Sequence, residues 1–278
     1  MHFDALVLSG GGINGLAHVG CLAGLGIDDV LAGVDTVVGT SAGSLVAAIF
    51  CLGLDMREVF RTLYAMDRRR LGSTANALET VVASFGLDDG RGLETLIRTF
   101  VPPALTFADL LRDRGKTLLI TATRLNDGAP VVFSPKTPHA DVPIALAVRM
   151  SCSIPLVFAA VRYRGALYVD GSVLDNFPIG VAAAQKKKRV LGIAVSRFHE
   201  KPETAATIET LGDFAGALMR TVVAAAQKQP PPRRGGVSTI DIRSEIPTAT
   251  LFDVTDAQIA YLYNLGYVKG REFRRKVA

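Results

Sequence analysis

Two glycine-rich segments, each directly after a short apolar run, constrain this chain more than any other feature. The first run covers residues 3–9 and leads into three consecutive glycines, and the second covers residues 34–38 and leads into a Gly-Thr-Ser-Ala-Gly segment. A short apolar run that ends in glycine and precedes a helical pattern is typical of a buried parallel strand that turns sharply into a helix. The sequence therefore predicts one βαβ unit, with its first helix over about residues 17–25, followed by a second helix.

The rest of the chain alternates strand patterns with helix patterns. This alternation predicts an α/β fold, with three layers (α/β/α) and a mainly parallel central sheet. A helix is expected to begin at residue 55 and another at about residue 255. Further strands are predicted at residues 117–123, 130–133, 161–164, 166–169, 190–195 and 237–242.

We expect residues 1–278 to form a single domain, because a chain of this length with 49% hydrophobic residues can bury one large core. The motifs described below lie within a core of about residues 5–200. Residues 68–103, where glycines interrupt short helical pieces, are the candidate cap over a site, and the alternative is plain connecting structure. Residues 204–278 are expected to supply C-terminal helices and the last strand. The helix over residues 204–227 carries an apolar stripe that faces either the core or a membrane.

The apolar segments are too short for a transmembrane protein. None reaches the roughly 20 apolar residues that a spanning helix needs, and the N-terminus lacks the basic region of a secretory signal. Cys21, Cys51 and Cys152 form no CxxC pair, which favours buried reduced thiols over a disulfide framework. We therefore expect a cytoplasmic protein that contacts membranes at most peripherally.

The formal charge of +5 suggests an anionic partner surface. Without tryptophan and with only 7% aromatic residues, a base-stacking platform for nucleic acid is not expected. Basic residues cluster at 68–70, 186–189 and 271–276. Our hypothesis is that the first and last of these clusters favour anionic membranes, and the alternative is that each is an ordinary solvated face.

The first glycine-rich segment has two interpretations. Gly10-Gly11-Gly12-Ile13-Asn14-Gly15 fits the GxGxxG fingerprint of dinucleotide-binding proteins. That interpretation requires an acidic residue at the end of the second strand, where this chain instead has Gly39-Thr40-Ser41. We therefore expect no nucleotide cofactor. In a glycine-rich segment before a helix, no side chains shield the backbone N–H groups. The segment therefore predicts a loop that stabilises an anion.

The second segment, Gly39-Thr40-Ser41-Ala42-Gly43, is a GxSxG motif between a strand and a helix. In this context small neighbours allow a tight turn that presents the Ser41 hydroxyl as a nucleophile. The alternative is an ordinary glycine-flanked turn. Because the carboxyl ends of adjacent parallel strands lie together, the anion loop and Ser41 are expected to meet, which is the geometry of acyl transfer.

A serine nucleophile needs a base. Asp170, which follows a predicted strand and precedes Gly171, is the leading candidate, with a simple turn aspartate as the alternative. Among the histidines, His18 is expected to be packed within the first helix. His199 would complete the order Ser, Asp, His of an α/β-hydrolase triad, whereas His139 and His199 both lie in polar, loop-like stretches. If no histidine takes part, we expect no essential group to titrate near the usual histidine pKa of about 6.5.

Together with the block from Met150-Ser151-Cys152-Ser153-Ile154-Pro155 through Asp170-Gly171-Ser172 to Asn176 and Pro178, these motifs resemble the patatin-like phospholipases over about residues 5–178. The resemblance implies a lipid acyl hydrolase of phospholipase A or lysophospholipase type, with a lipid ester as substrate and a Ser-Asp dyad. It assigns Ser41 as nucleophile and Asp170 as proton acceptor. The resemblance also implies an oxyanion hole formed by Gly10, Gly11 and Gly12. The residues that it implies as support for the motifs are Gly15, Gly39, Gly43 and Gly171.

Two positions depart from the family pattern. Asn14 stands where the family usually has Arg or Lys, and Ser172 stands where it usually has Gly or Ala. The loss of positive charge at Asn14 bears on rate and substrate preference, although backbone donors alone stabilise a transition state by a few kcal/mol. The alternatives are a Ser-His-Asp esterase that uses His199 and a lipid-binding protein without turnover. No metal is expected, because the sequence has no EF-hand pattern and the dyad needs none.

Overall fold

The computed structural model describes residues 2–67, 77–136, 138–187, 189–197, 236–246 and 254–277, with short stretches between 208 and 225. The strands are β1 (Ala5–Leu8), β2 (Thr36–Thr40), β3 (Gly86–Asp88), β4 (Thr117–Arg124), β5 (Ala129–Phe133), β6 (Leu156–Phe158), β7 (Val161–Tyr163), β8 (Ala166–Asp170), β9 (Val190–Arg197) and β10 (Val237–Ser244). The helices are α1 (Leu16–Leu25), α2 (Ala42–Cys51), α3 (Met56–Ala65), α4 (Ala77–Ser84), α5 (Arg91–Phe100), α6 (Phe107–Arg114), α7 (Ile144–Ser151), α8 (Ile179–Ala184) and α9 (Asp256–Val277).

The main sheet has the order β10-β9-β1-β2-β4-β8-β7, and β5 pairs with the free side of β4. The first five strands of this order run parallel, whereas β5, β7 and β8 form antiparallel pairs. The predicted mainly parallel sheet flanked by helices is therefore confirmed, and so is the initial βαβ unit. The end of the chain adds an edge strand and a long helix, as the sequence predicts.

Helices cover both faces of this sheet because its central strands are apolar on both faces. In β1, Leu6 and Leu8 join the larger core, and Ala5 and Val7 join a smaller core that contains Ile179 of α8. This alternation follows the two-residue period of a strand. A strand buried on both faces reads as a continuous apolar run, which is why the sequence locates it so readily.

Several boundaries differ from the sequence-based expectation. The strand predicted at residues 34–38 is Thr36–Thr40, since its limits are set by pairing from Ala5↔Thr36 to Thr40↔Thr121. Part of the proposed cap, residues 68–76, lies outside the described residues. The described part contains α4, β3 and α5, and β3 pairs with β6 in a separate two-stranded sheet. The sequence pattern predicts neither β3 nor β6.

The predicted helix over residues 204–227 lies partly outside the described residues. Of its apolar stripe, Phe214 and Leu218 are helical and are 51% and 43% exposed. The stripe therefore does not face the core at these two positions. No described helix is both long and apolar enough to span a bilayer.

Helices α1 and α9 pack closely against each other through glycine residues. A Cβ atom on Gly20 of α1 would lie 1.9 Å from the Tyr263 carbonyl oxygen, and one on Gly266 of α9 would lie 2.0 Å from the Ala17 carbonyl oxygen. The neighbouring atoms are backbone, so they cannot move aside as a flexible side chain would. Close packing of the two helices therefore requires glycine at these positions.

We predict that Gly20→Ala lowers the free energy of unfolding by about 2 to 3 kcal/mol or more, because the added methyl forces the helices apart. Gly180→Ala is the matched control, since Gly180 is an exposed residue of α8 and a methyl group added there would have no atom within 4 Å. The control should gain up to about 1 kcal/mol from helix propensity and reduced unfolded-state entropy. Urea unfolding measures both, and equal effects of the two substitutions would contradict the packing argument.

Candidate active site

The catalytic candidates meet because two strands approach each other end to end beside β4. Strand β2 pairs in parallel with residues 117–121 of β4, and β8 pairs antiparallel with residues 122–124. Since β5 occupies the opposite side of residues 120–124, β2 and β8 lie on the same side of β4. Their last residues, Thr40 and Asp170, pair with the adjacent residues Thr121 and Ala122. The residue after Thr40 is therefore brought directly to Asp170.

That residue is Ser41, and its hydroxyl bonds directly to the carboxylate. The Ser41 Oγ donates to Asp170 Oδ2 at 2.6 Å. The Asp170 residue is fully buried and Ser41 is 5% exposed. A general base must lie within about 2.6 to 3.2 Å of the oxygen whose proton it takes, and this pair meets that requirement without an intervening group.

The backbone at Ser41 adopts a conformation that side chains other than glycine rarely take, with φ 52° and ψ −131°. Such a conformation costs of order 1–3 kcal/mol and persists only where the surroundings enforce it. Two buried serines do so here: Ser151 Oγ accepts from the Ser41 N–H at 2.8 Å, and Ser44 Oγ donates to the Ser41 carbonyl at 2.6 Å. The strained turn is thus held on both sides of Ser41.

The four supporting glycines occupy positions where a side chain has no room. Added Cβ atoms would lie within 2.4 to 2.6 Å of neighbouring atoms, among them backbone oxygens, a methyl carbon and a threonine hydroxyl. Close backbone approach, rather than direct contact with a substrate, therefore accounts for these residues, which are Gly15, Gly39, Gly43 and Gly171.

Hydrogen bonds fix Asp170 along its whole length. Its N–H donates to the Ser153 carbonyl at 2.9 Å, and its own carbonyl accepts from Thr123 Oγ1 at 3.1 Å. Its second carboxylate oxygen, Oδ1, accepts from the Ser172 N–H at 2.8 Å. Burial raises the pKa of Asp170 to about 6, although the hydrogen bonds from Ser41 and Ser172 favour the charged form and oppose this rise. The carboxylate is therefore a stronger base than an ordinary aspartate.

The glycine-rich loop after β1 presents its amides unequally. The Gly10 N–H donates to the Asn176 carbonyl at 3.0 Å, so this amide is not available to a substrate anion. The Gly11 and Gly12 N–H groups form no hydrogen bond within the described part of the chain. The expectation that all three amides donate to an anion is therefore corrected: the geometry leaves Gly11 and Gly12 as the available donors.

Asn14, the departure from the family pattern, is a buried residue of this same glycine-rich segment. It is 2% exposed, and its Oδ1 has no hydrogen-bond partner among the residues that the structure describes. The side chain thus adds no formal charge to the loop, and the loop's capacity to stabilise an anion rests on its backbone N–H groups.

No histidine that the structure describes is hydrogen-bonded to Ser41 or Asp170. His18 is buried in α1, as expected, and its Nε2 lies 2.9 Å from the Ser9 carbonyl oxygen. The His139 ring packs edge-on against Phe133 with centroids 5.0 Å apart, and burial lowers its pKa. His199, the histidine of the alternative triad, lies outside the described residues. In the structure, Ser41 already bonds a carboxylate, which is the position that a triad would give to imidazole.

No cluster of three or more His, Cys, Asp or Glu side chains that could hold a metal ion is found among the described residues. The three cysteines are free and buried. Burial raises the pKa of Cys152 to about 12, so this thiol beside Ser44 remains protonated and is not a competing nucleophile.

Sequence patterns do not identify Ser44, Ser151 or Thr123 as residues that hold the site. Ser151 does lie in the block that carries the family resemblance, which is the signal that could have found it. Its role depends on the packing of α7 against the turn after β2, and that contact joins residues 110 positions apart.

The profile of the family described as "Patatin-like phospholipase" matches residues 6–183, which is more than half of the chain. The chain belongs to the patatin-like phospholipase family. The matched segment contains Ser41, Asp170 and the glycine-rich loop. Membership in this family of lipid-ester-cleaving enzymes supports a lipid hydrolase.

Two relatives illustrate the extent of this patatin-like similarity. The uncharacterized protein YqhO of Bacillus subtilis (strain 168) is 28% identical, and the alignment covers 96% of each chain. The probable lipid hydrolase 463L of Invertebrate iridescent virus 6 is also 28% identical, over 68% of this chain and 66% of the viral protein.

Among solved structures, VipD from Legionella pneumophila is similar to this patatin-like chain with a TM-score of 0.59 at 18% sequence identity. The match covers 99% of this chain and 67% of the VipD chain. At this level of identity the similarity concerns the fold.

We predict that Asp170→Asn stabilises the protein at pH 8. The folded-state pKa of about 6 lies above the ordinary value of 3.8, so the native state resists ionisation that the unfolded state accepts freely. The favourable contribution of this group is complete below pH 3.8 and is lost as the pH rises through about 6. At about 1.4 kcal/mol per pKa unit, the uncharged variant should gain up to about 3 kcal/mol at pH 8.

Urea unfolding of parent and variant at pH 4 and pH 8 measures this gain. The advantage of the variant should be small at pH 4 and large at pH 8. An advantage of equal size at both pH values, or a loss at pH 8, would show that Asp170 is not held with a raised pKa.

Proposed function

We propose that this protein hydrolyses fatty-acyl esters of lipids through Ser41 and Asp170, by way of an acyl-enzyme. The observation that carries the proposal is the direct 2.6 Å hydrogen bond from the Ser41 hydroxyl to a buried carboxylate at the carboxyl edge of the sheet. The family supports a lipid ester as the substrate. The reaction is of phospholipase A or lysophospholipase type.

In the first half of the reaction, Ser41 Oγ attacks the ester carbonyl carbon while its proton passes to Asp170 Oδ2. The carbonyl π electrons move onto oxygen and form a tetrahedral oxyanion. The Gly11 and Gly12 amides are the proposed donors to this oxyanion, and each such donor is worth about 3 to 4 kcal/mol in known oxyanion holes. Gly10 contributes the shape of the loop rather than a donor, because its N–H is engaged by Asn176.

The tetrahedral intermediate then collapses. The bond between the carbonyl carbon and the leaving oxygen breaks, and Asp170 returns its proton to that oxygen, so that a neutral alcohol departs. The acyl group remains on Ser41 Oγ. A water molecule attacks this second ester, Asp170 accepts the water proton, and collapse of the second tetrahedral intermediate returns the proton to Ser41 and releases the fatty acid.

Of the two alternatives, the triad through His199 receives no support from the described geometry, because Asp170 bonds Ser41 itself rather than orienting an imidazole. A lipid-binding protein without turnover would not need the strained turn at Ser41. Strain of this kind clusters at functional sites, so the hydrolase is the better interpretation.

The location of the basic residues changes the hypothesis about membranes. Helix α9 runs alongside α1, and its C-terminal end lies near the amino edge of the sheet, where Arg274 bonds Asp29 and Phe273 contacts Phe3. The 271–276 cluster is therefore at the edge opposite to Ser41. From the 186–189 cluster, Lys187 pairs with Asp35 and Arg189 with Asp4, before strands β2 and β1 at the same edge. The 68–70 cluster lies outside the described residues.

A flat bilayer in contact with the mouth of the site would not reach the 271–276 cluster. We therefore propose that peripheral contact with lipid, where it occurs during turnover, uses the carboxyl edge of the sheet. Leu174, which is exposed and lies four residues after Asp170, is on this edge.

We predict that Ser41→Ala and Asp170→Asn each abolish nearly all ester hydrolysis while the fold is retained. A two-group mechanism cannot replace either the hydroxyl or the carboxylate, and losses within such a coupled pair are not additive. The double variant should therefore be no less active than either single variant. Turnover of a panel of lipid esters measures the effect, with far-UV circular dichroism as the control for folding.

Hydrolysis by Ser41→Ala at a tenth or more of the parent rate would discard the assignment. Loss of activity by Asp170→Asn together with loss of folded structure would contradict the stabilisation expected from removing this buried charge.

We predict that kcat/KM falls tenfold per pH unit below about pH 6, because only the ionised Asp170 can accept the Ser41 proton. This prediction replaces the expectation that no essential group titrates near the histidine range, because burial raises the pKa of Asp170 to about 6. His139→Asn and His199→Asn should keep this acidic limb and most of the activity. A pH profile of each variant provides the measurement.

The temperature dependence of the acidic limb shows whether a carboxyl or a histidine is titrating. Ionisation of a carboxyl has a small enthalpy, whereas ionisation of an imidazolium has a large one. The apparent pKa of the acidic limb should be nearly the same at about 10 °C and about 35 °C. A hundredfold loss on replacing His199, or a limb that shifts markedly with temperature, would refute the dyad in favour of the triad.

A further inference from the structure

The structure contains a buried histidine that the proposed reaction does not use. His18, in the first turn of α1, is fully buried, and its Nε2 lies 2.9 Å from the Ser9 carbonyl oxygen. Because a carbonyl oxygen only accepts, Nε2 must carry the hydrogen of this bond. The other ring nitrogen, Nδ1, has no partner among the described residues.

This histidine is a costly choice for a core position. A buried polar atom without a hydrogen bond costs free energy, and an apolar side chain of similar size would avoid that cost. Burial also lowers the pKa of His18 to about 4, so the ring is neutral at physiological pH and supplies one N–H donor. The role of His18 is therefore to be inferred from the group that accepts this hydrogen bond.

The acceptor, the Ser9 carbonyl, belongs to the peptide that opens the glycine-rich loop. The N–H on the other side of the same peptide, that of Gly10, donates to the Asn176 carbonyl at 3.0 Å. The peptide between Ser9 and Gly10 is thus hydrogen-bonded at its oxygen to α1 and at its nitrogen to the segment that follows Asp170. Its plane cannot rotate without breaking one of these bonds.

The orientation of this peptide sets where the next two amides lie. Gly11 and Gly12 follow without a side chain to hold them, and Gly12 has a positive φ of 54° that glycine adopts readily. Besides the Asn14 N–H, which donates to the Gly11 carbonyl at 3.0 Å, the loop has its anchors at its first peptide. The Ser9 hydroxyl adds a third, since it accepts from the Val195 N–H and donates to the Gly10 carbonyl, at 2.9 Å in both cases.

We propose that His18 is a positioning residue for the oxyanion hole: together with the Asn176 carbonyl it clamps the Ser9–Gly10 peptide, so that the Gly11 and Gly12 amides face the developing oxyanion. This inference rests on the proposed hydrolase for its effect on rate. The clamp itself is a property of the folded protein and is measurable without turnover.

The first test is kinetic and uses a soluble short-chain ester, so that membrane binding does not enter. His18→Leu removes the donor but fills the space, and should lower kcat ten- to hundredfold, because displacing an oxyanion donor by about 1 Å costs on the order of a hundredfold. KM should change less than about twofold, since the oxyanion exists only after attack. His18→Gln, which retains an N–H donor, should restore most of the lost rate.

Leu22→Ala is the matched control for damage to the core. Leu22 lies one turn after His18 in α1 and is also fully buried, but it makes no hydrogen bond to the loop. This substitution should lower the thermal midpoint at least as much as His18→Leu and leave kcat nearly unchanged. If Leu22→Ala lowers kcat as much as His18→Leu does, or if His18→Gln restores nothing, His18 is only a packing residue.

The second test, amide hydrogen exchange in residues 9–15 followed by mass spectrometry, does not depend on activity. The Gly10 amide, bonded to Asn176, should exchange at least tenfold faster in His18→Leu than in the parent and in Leu22→Ala. Unchanged exchange would overturn the clamp. A third outcome is also informative. If the parent protein hydrolyses no ester but the Gly10 amide still exchanges faster in His18→Leu, the clamp is retained and the proposed function is rejected.

Discussion

The site depends on a single feature of the sheet: strands β2 and β8 run toward each other along the same side of β4 and stop at adjacent residues. The register places Thr40 opposite Thr121 and Asp170 opposite Ala122. A shift of one residue in either strand would turn its side chains to the other face. Ser41 and Asp170 are therefore brought together by the backbone ladder of β4.

The hydroxyl and the carboxylate meet in a place that is unfavourable for folding. Ser41 has a strained backbone, and Asp170 is fully buried with its pKa raised to about 6 by that burial. Both features lower stability, and both suit the proposed acyl transfer: the strained turn presents the hydroxyl, and the raised pKa makes the carboxylate a better proton acceptor near neutral pH. The surrounding hydrogen bonds from Ser151, Ser44 and Ser172 keep the two residues in position.

Much of this arrangement can be predicted from the sequence because short local patterns determine it. The apolar runs before Gly10 and Gly39 indicate parallel strands, and the spacing of the two loops places them at one edge of the sheet. What the sequence does not reveal is set by contacts between distant residues. The engagement of the Gly10 amide by Asn176 joins positions 166 residues apart, and the hydroxyl of Ser151 reaches the Ser41 amide from a different helix.

The charge pattern shows the same limitation. A cluster such as 271–276 is evident in the sequence, but its location relative to the site depends on how α9 packs against α1. The glycine contact between these helices places the basic end at the amino edge, away from Ser41. Burial, likewise, cannot be read from the residues near Asp170, and it is burial that moves the pKa of this aspartate into the range usually associated with histidine.

The central claim is that Ser41 is a nucleophile activated directly by Asp170. Covalent labelling with a fluorophosphonate, followed by peptide mass mapping, tests it most directly, because the probe reacts only with an activated serine and the map identifies which one. We predict a single adduct on the peptide that contains Ser41, and no adduct in folded Asp170→Asn under the same conditions. Labelling at another residue, or equal labelling of Ser41 in Asp170→Asn, would contradict it.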